Sequence, residues 1–166
     1  MEGDLVECGT WRGGMSAAMA EASPGRTSVL FDSFEGLPDY TDKDNQAQAP
    51  PADRFAVGEE VARAAMQRSG GRFTIRKGWF DQTVPEYAAG EPTIAVLRLD
   101  GDLYDSTMVC LSHLFPLVAP GGLVLIDDYG GAWDGCTKAV HDYLSREARA
   151  EGIRTTRCSV AHLWHR

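Results

Sequence analysis

The chain has 166 residues, enough for one domain with a substantial core. Its 43% hydrophobic and 24% charged residues are those of a globular protein in water. A net charge of −8 with no basic stripe argues against a nucleic-acid backbone as partner, and no apolar run reaches the ~18–20 residues that span a bilayer.

Strand-like and helix-like stretches alternate almost from the first residue. Asp4 to Cys8 reads as a short strand entering Gly9, and Gly13 to Ala22 as a helix stopped by Ser23-Pro24-Gly25. Thr27 to Phe31 is a second apolar strand ending at Asp32, and Arg72 to Arg76 a third ending at Lys77-Gly78. Thr93 to Leu99 and Gly122 to Ile126 are a fourth and a fifth. Between them Met108, Leu111, Leu114, Phe115 and Val118 recur at helical spacing over residues 106–118. Thr137 to Ala150 is amphipathic, with Val140, Tyr143 and Leu144 on one face. Ile153 to Cys158 and Ala161 to Trp164 are short strands spaced for a hairpin. Repeated βα units of this length predict an α/β fold: a Rossmann-like, doubly wound sheet, mostly parallel, with an antiparallel C-terminal hairpin strand. Residues 38–53 lack periodicity and follow the second strand's C-terminal end, so they are expected to form a mobile flap over the ligand side; a solvated insertion is the plainer alternative. A single domain covers residues 1–166. No secretory signal is visible, so a cytoplasmic location is expected. Cys8, Cys110, Cys136 and Cys158 lack metal or disulfide spacing and read as buried small hydrophobes. His113 falls in an apolar helical pattern and reads as structural. His141 lies on a late helix as a solvent-exposed or capping residue, although that helix could also face an acceptor.

Two acidic runs carry the chemistry. Leu97-Arg98-Leu99-Asp100-Gly101-Asp102 and Leu125-Ile126-Asp127-Asp128 each bring an apolar strand straight into carboxylates. Ligands of open α/β sheets bind at the C-terminal ends of strands, so neighbouring tips would deliver Asp100, Asp127 and Asp128 to one spot. Like charges that close call for a hard divalent cation, and Mg²⁺ suits an all-carboxylate set. Asp102 would then be free to act as general base toward a bound hydroxyl. The first βα turn, Glu7-Cys8-Gly9-Thr10-Trp11-Arg12-Gly13-Gly14, is glycine-rich without being a dinucleotide fingerprint or a Walker loop. It suits close approach of a cofactor to the backbone. Asp32 ends the second strand, where an acid commonly bonds ribose hydroxyls; a turn aspartate before Ser33 is the alternative. Trp79, past the third strand, is placed to stack on an adenine face or to pack with Phe80 in the core.

With these residues in hand the chain resembles the class I S-adenosylmethionine-dependent methyltransferases, and more closely the macrocin O-methyltransferase family, whose members methylate sugar hydroxyls of macrolide and aminocoumarin antibiotics. The matching segments are GDLVECGTWRGG (3–14), DSFEGLP (32–38), KGWFDQTVP (77–85), LRLDGDLYDST (97–107), GGLVLIDDYG (121–130) and GCTKAVHDYL (135–144). The resemblance implies that Glu7, Gly9, Thr10, Arg12 and Gly13 line the methionine part of S-adenosylmethionine. It implies that Asp32 and Ser33 hold the ribose, that Trp79 lies near the adenine, and that Asp100 also meets the cofactor. It further implies that Asp100, Asp127 and Asp128 bind Mg²⁺ and that Asp102 is the base. The expected partner is a small-molecule acceptor, a glycoside or a diol, with no nucleic acid and no membrane; a homo-oligomer is compatible with the family. Family members usually carry a helical segment before the first strand, whereas this chain is expected to open on that strand without such a cover. Two alternatives stay open: a catechol or phenol O-methyltransferase, and a cofactor-binding subunit inactive without a partner.

Overall fold

Among the described residues, apolar runs punctuated by glycine turns give twelve main helices and strands. The computed structural model describes every residue except 49, 132, 133, 150, 157–159 and 166. In chain order they are β1 (Asp4–Cys8), α1 (Gly14–Ala22), β2 (Thr27–Asp32), α2 (Glu59–Ser69), β3 (Arg72–Lys77), α3 (Phe80–Ala88), β4 (Ile94–Leu99), α4 (Tyr104–Leu114), β5 (Val118–Ile126), α5 (Asp134–Arg146), β6 (Arg154–Thr155) and β7 (Ala161–Trp164). The seven strands lie in the order β3-β2-β1-β4-β5-β7-β6. β1 through β5 run parallel, and β7 runs antiparallel to both β5 and β6. The expected Rossmann-like sheet with its antiparallel C-terminal hairpin is therefore present.

Successive residues of the central strands feed opposite faces. On β2, Val29 and Phe31 join a large core with residues of α3, α4 and α5, while Leu30 meets Ala20 of α1 and Met66 of α2. Burial on both faces is why these strands read as continuous apolar runs. Cys8, Cys110 and Cys136 are free thiols buried in the larger core, as expected; Cys158 lies outside the described residues. Among the described residues no helix is long and apolar enough to cross a membrane.

Several element boundaries differ from the sequence reading. α2 and α3 were not foreseen. α2 buries Ala62, Ala65 and Met66, and alanines mark a helical stripe only weakly. α3 contains Pro85, which in sequence reads as a helix breaker. α4 spans Tyr104–Leu114 rather than 106–118, because Pro116 limits it. β5 starts at Val118, and its pairing with β4 jumps from Ile94↔Val118 to Val96↔Leu123, a bulge around Pro120 and Gly121. α5 starts at Asp134 and ends at Arg146, short of residue 150, which lies outside the described residues. Of the expected strand 153–158, Arg154 and Thr155 pair with β7, whereas residues 157 and 158 lie outside the described residues.

The chain leaves β1 toward β2 and β3, then returns to β1's other side at β4. The sheet thus reverses its winding direction between β1 and β4, and the crevice at their C-terminal ends is where ligands of doubly wound sheets bind.

Candidate active site

Most candidate residues lie at or just past the C-terminal ends of the strands, and the sheet's own hydrogen-bond pattern extends into them. Gly9 N donates to Phe31 O (2.9 Å), Asp100 N to Cys8 O (2.9 Å), Asp127 N to Leu99 O (3.0 Å) and Gly78 N to Asp32 O (2.9 Å). At the β1 tip the chain turns against the β4 tip at van der Waals distance. Gly9 has φ +93°, and a Cβ there would stand 1.8 Å from Asp100 O, so only glycine fits. The turn closes through Gly13 N donating to Thr10 O at 2.8 Å, and the buried Thr10 hydroxyl donates to Phe31 O at 3.3 Å.

Asp32 organises the next corner. Its two carboxylate oxygens accept the backbone N–H groups of Trp11 (2.6 Å) and Phe34 (2.7 Å), tying the β1 turn to the β2 turn. Each oxygen keeps a lone pair for a further donor. The buried Ser33 hydroxyl accepts from Glu35 N (3.1 Å) and donates to Gly36 O (3.3 Å).

The four aspartates meet as expected, with one addition. Asp100, Asp127 and Asp128 each present an oxygen within 4.8 Å of the other two. Asp102 has φ +60°, and its N–H donates to an Asp128 oxygen at 3.0 Å. Burial, reinforced by Asp128, pushes the Asp102 carboxyl up to about 9. Burial and Asp100 push Asp128 up to about 7. The addition is Arg98, 6% exposed, which points from β4 into the acidic group. Its guanidinium contacts Glu7 (2.6 Å), Asp100 (2.8 Å) and Asp127 (3.0 Å). Glu7, 1% exposed, also accepts a hydrogen bond from the Ser16 hydroxyl of α1. Burial raises Glu7 to about 7 even though Arg98 and Ser16 pull it down.

These tips floor a cavity of about 1080 Å³. Gly9, Trp11, Asp32, Ser33, Trp79, Asp100, Asp102 and Asp128 all line it, so cofactor-type and acidic residues share one chamber. Leu37, Pro38, Asp39, Thr41 and Asp44 supply another wall, so the first part of the 38–53 stretch borders the cavity. Glu7, Thr10 and Gly13 are buried and are not among the cavity-lining residues. Arg12 is exposed, its guanidinium 5.5 Å from the Trp11 ring centroid, and it too is outside the lining. His141 is exposed and bonded to the Tyr129 hydroxyl at 2.9 Å, and it does not line the cavity either. His113 is also exposed, its Nδ1 2.9 Å from Val109 O. Sequence reading missed Arg98, although an arginine between two leucines of a buried strand signals a buried counter-charge. It also missed Asp44, for which the local sequence carries no signal.

The glycine turn after β1, the acid closing β2 and the carboxylates after β4 and β5 thus meet at the sheet's reversal point, where doubly wound sheets bind ligands. Residues 1–164 match the family described as Macrocin-O-methyltransferase (TylF), and the chain belongs to that family. It is 42% identical, over 91% of this chain and 61% of the relative, to 8-demethyl-8-(2,3-dimethoxy-alpha-L-rhamnosyl)-tetracenomycin-C 4'-O-methyltransferase of Streptomyces olivaceus. It is 36% identical to mycinamicin III 3''-O-methyltransferase of Micromonospora griseorubida, over 91% of this chain and 64% of that one. The chain thus spans less than two thirds of the length of these relatives. Among solved structures, the O-methyltransferase NovP superposes with TM-score 0.83 at 34% identity, over 99% of this chain and 72% of that one. CalS11, a calicheamicin methyltransferase, superposes with TM-score 0.80 at 26% identity over the same shares.

Proposed function

We propose that this chain carries the catalytic centre of a Mg²⁺-dependent O-methyltransferase that moves a methyl group from S-adenosylmethionine to a sugar hydroxyl of a small glycosylated natural product. The observation that carries the reading is the placement of Asp100, Asp127 and Asp128 at the sheet's reversal point, with Asp102 beside them in the same cavity as Gly9 and Asp32. The relatives' names support a glycoside acceptor.

The donor set fits a hard dication. It offers three carboxylates within ligand range of one another, and Arg98 meets Asp100 through Oδ2 and Asp127 through Oδ1. Bound together, S-adenosylmethionine supplies an electrophilic methyl and Mg²⁺ acidifies and orients the acceptor hydroxyl. The β1 turn offers backbone to the cofactor's amino-acid end, Asp32 accepts from ribose hydroxyls, and Trp79 offers a flat face for the adenine. Asp102, beside the three carboxylates in the same cavity, would take the proton of the acceptor hydroxyl. With the acidic centre and the loop wall in one chamber, positioning of the two reactants would contribute much of the rate.

The test follows labelled methyl transfer from S-adenosylmethionine to a panel of glycosides and catechols. Transfer to glycosides that stops with EDTA and returns with Mg²⁺ is expected. Transfer to catechols alone would move the acceptor to phenols. Cofactor binding without any transfer would favour a subunit that needs a partner, and absence of a calorimetric signal with S-adenosylmethionine would overturn the reading.

A further inference from the structure

We propose that Asp44 is a positioning residue that latches the loop segment 41–44 onto the first turn of α4 and so fixes one wall of the chamber an acceptor would enter. The inference rests on the cavity being the methyl-transfer site as read above.

α4 starts directly after the Asp100–Asp102 turn, and no side chain of its own N-terminal residues caps it. The cap comes instead from sixty residues away in sequence: Asp44 Oδ1 accepts the Tyr104 N–H at 2.8 Å. Its other oxygen accepts both the backbone N–H and the hydroxyl of Thr41 at 2.9 Å. A carboxylate on a helix N-terminus is favourable because it meets unpaired N–H groups and the positive end of the dipole. Here the same carboxylate, only 9% exposed, also ties down its own loop.

A second feature points the same way. Gly135 lies in the first turn of α5, and a Cβ there would stand 1.9 Å from Asp44 Oδ1 and 2.8 Å from Tyr104 N. Glycine is therefore required for Asp44 to reach α4, although Gly135 does not line the cavity. Two lysines complete the latch. Lys43 Nζ lies 3.8 Å from the centroid of the Tyr104 ring, and Lys138 Nζ of α5 donates to Lys43 O at 2.7 Å. Tyr104 in turn donates its hydroxyl to Asp142 at 2.9 Å. Asp44 and Thr41 line the cavity with Asp102 and Asp105, so the latch sets the distance between the loop wall and the base.

The experiment compares the wild-type chain with Asp44→Asn and Gly135→Ala by limited trypsin digestion and by kinetics. Lys43 is a trypsin site held by the latch, whereas Arg63 and Arg68 on α2 report global opening. Both variants should be cut after Lys43 roughly tenfold or more faster, with cleavage on α2 unchanged. KM for the acceptor should rise about tenfold or more while the Kd for S-adenosylmethionine stays within about twofold. Gly135→Ala leaves the scissile sequence intact, so it separates loop release from altered protease recognition. Unchanged cleavage after Lys43 in both variants overturns the latch even if the chain proves inactive on every acceptor. Faster cleavage with an unchanged acceptor KM in an active enzyme overturns the positioning role. An inactive wild type whose latch behaves as described removes the methyl-transfer reading and with it the positioning role, and leaves only a structural tether.

Discussion

Arg98→Met deletes the guanidinium that, among the described residues, pairs with Glu7, Asp100 and Asp127, while keeping a long apolar stem in β4. Asp100 and Asp127 keep side-chain exposures of 29% and 33%, so water replaces much of what they lose. Glu7, at 2%, has no such recourse, and its pair with Arg98 at 2.6 Å dominates the cost. At an effective dielectric of ~20 and a charge separation of ~4 Å the attraction is about 4 kcal/mol. Breaking buried pairs by removing one partner costs roughly 3–5 kcal/mol. In a domain of this size that corresponds to a fall in Tm of about 6–20 °C by calorimetry. Glu7→Gln added to Arg98→Met should recover more than half of the loss, because the neutral amide no longer needs a counter-charge and can still accept from Ser16. The loss should also depend on pH. Glu7 in the folded chain titrates near 7, above its ordinary 4.5, so the folded state holds more protons than the unfolded one across that window. Glu7 therefore takes stability away as pH rises through it. Removing Arg98 deletes a lowering influence and extends the window upward, so the gap between variant and wild type should widen from pH 6 to pH 8. A Tm within about 2 °C of wild type, or a double variant no better than the single one, would refute the claim that Arg98 exists to hold a buried Glu7 charge.

Asp102→Asn should lower turnover roughly 10²–10⁴-fold while the Kd for S-adenosylmethionine, read by calorimetry, stays put; unchanged turnover would remove Asp102 as base. Gly9→Ala forces a Cβ to within 1.8 Å of Asp100 O at φ +93°, so a loss of roughly 3 kcal/mol or more is expected in denaturant unfolding, and a neutral outcome would contradict the close approach of the β1 and β4 tips. Without a cation, Asp128 and Asp102 hold protons up to about 7 and about 9. Mg²⁺ must displace them, so its affinity should rise between pH 6 and pH 9 by up to about tenfold per unit for each proton released. Calorimetry in buffers of different ionisation heat counts those protons, and a pH-independent affinity with no proton release would count against the acidic centre as the cation site.

What could be read from the sequence divides along a physical line. Asp32, Asp100 and Asp127 stand at strand ends, and the ladder bonds that pair β1 with β2 and β4, and β4 with β5, also hold Gly9, Asp100 and Asp127. For such residues, recognising an apolar run is enough to place the side chain, because the parallel register is shared and the reversal between β1 and β4 gathers the tips. Arg98 sits inside such a run and was legible in principle, since a cation cannot lie among leucines without carboxylates to meet it. The helices hidden by alanines in α2 and by Pro85 in α3 escaped for a weaker reason, a faint local pattern. Asp44 escaped for a stronger one. Its partner Tyr104 and the neighbouring Gly135 lie far along the chain in α4 and α5, and the contact depends on a missing Cβ at residue 135. Nothing in the neighbourhood of Asp44 encodes that. Chemistry written at strand ends is therefore set by the sheet, whereas the wall facing it is set by long-range contacts that two sequences can vary without touching a single strand.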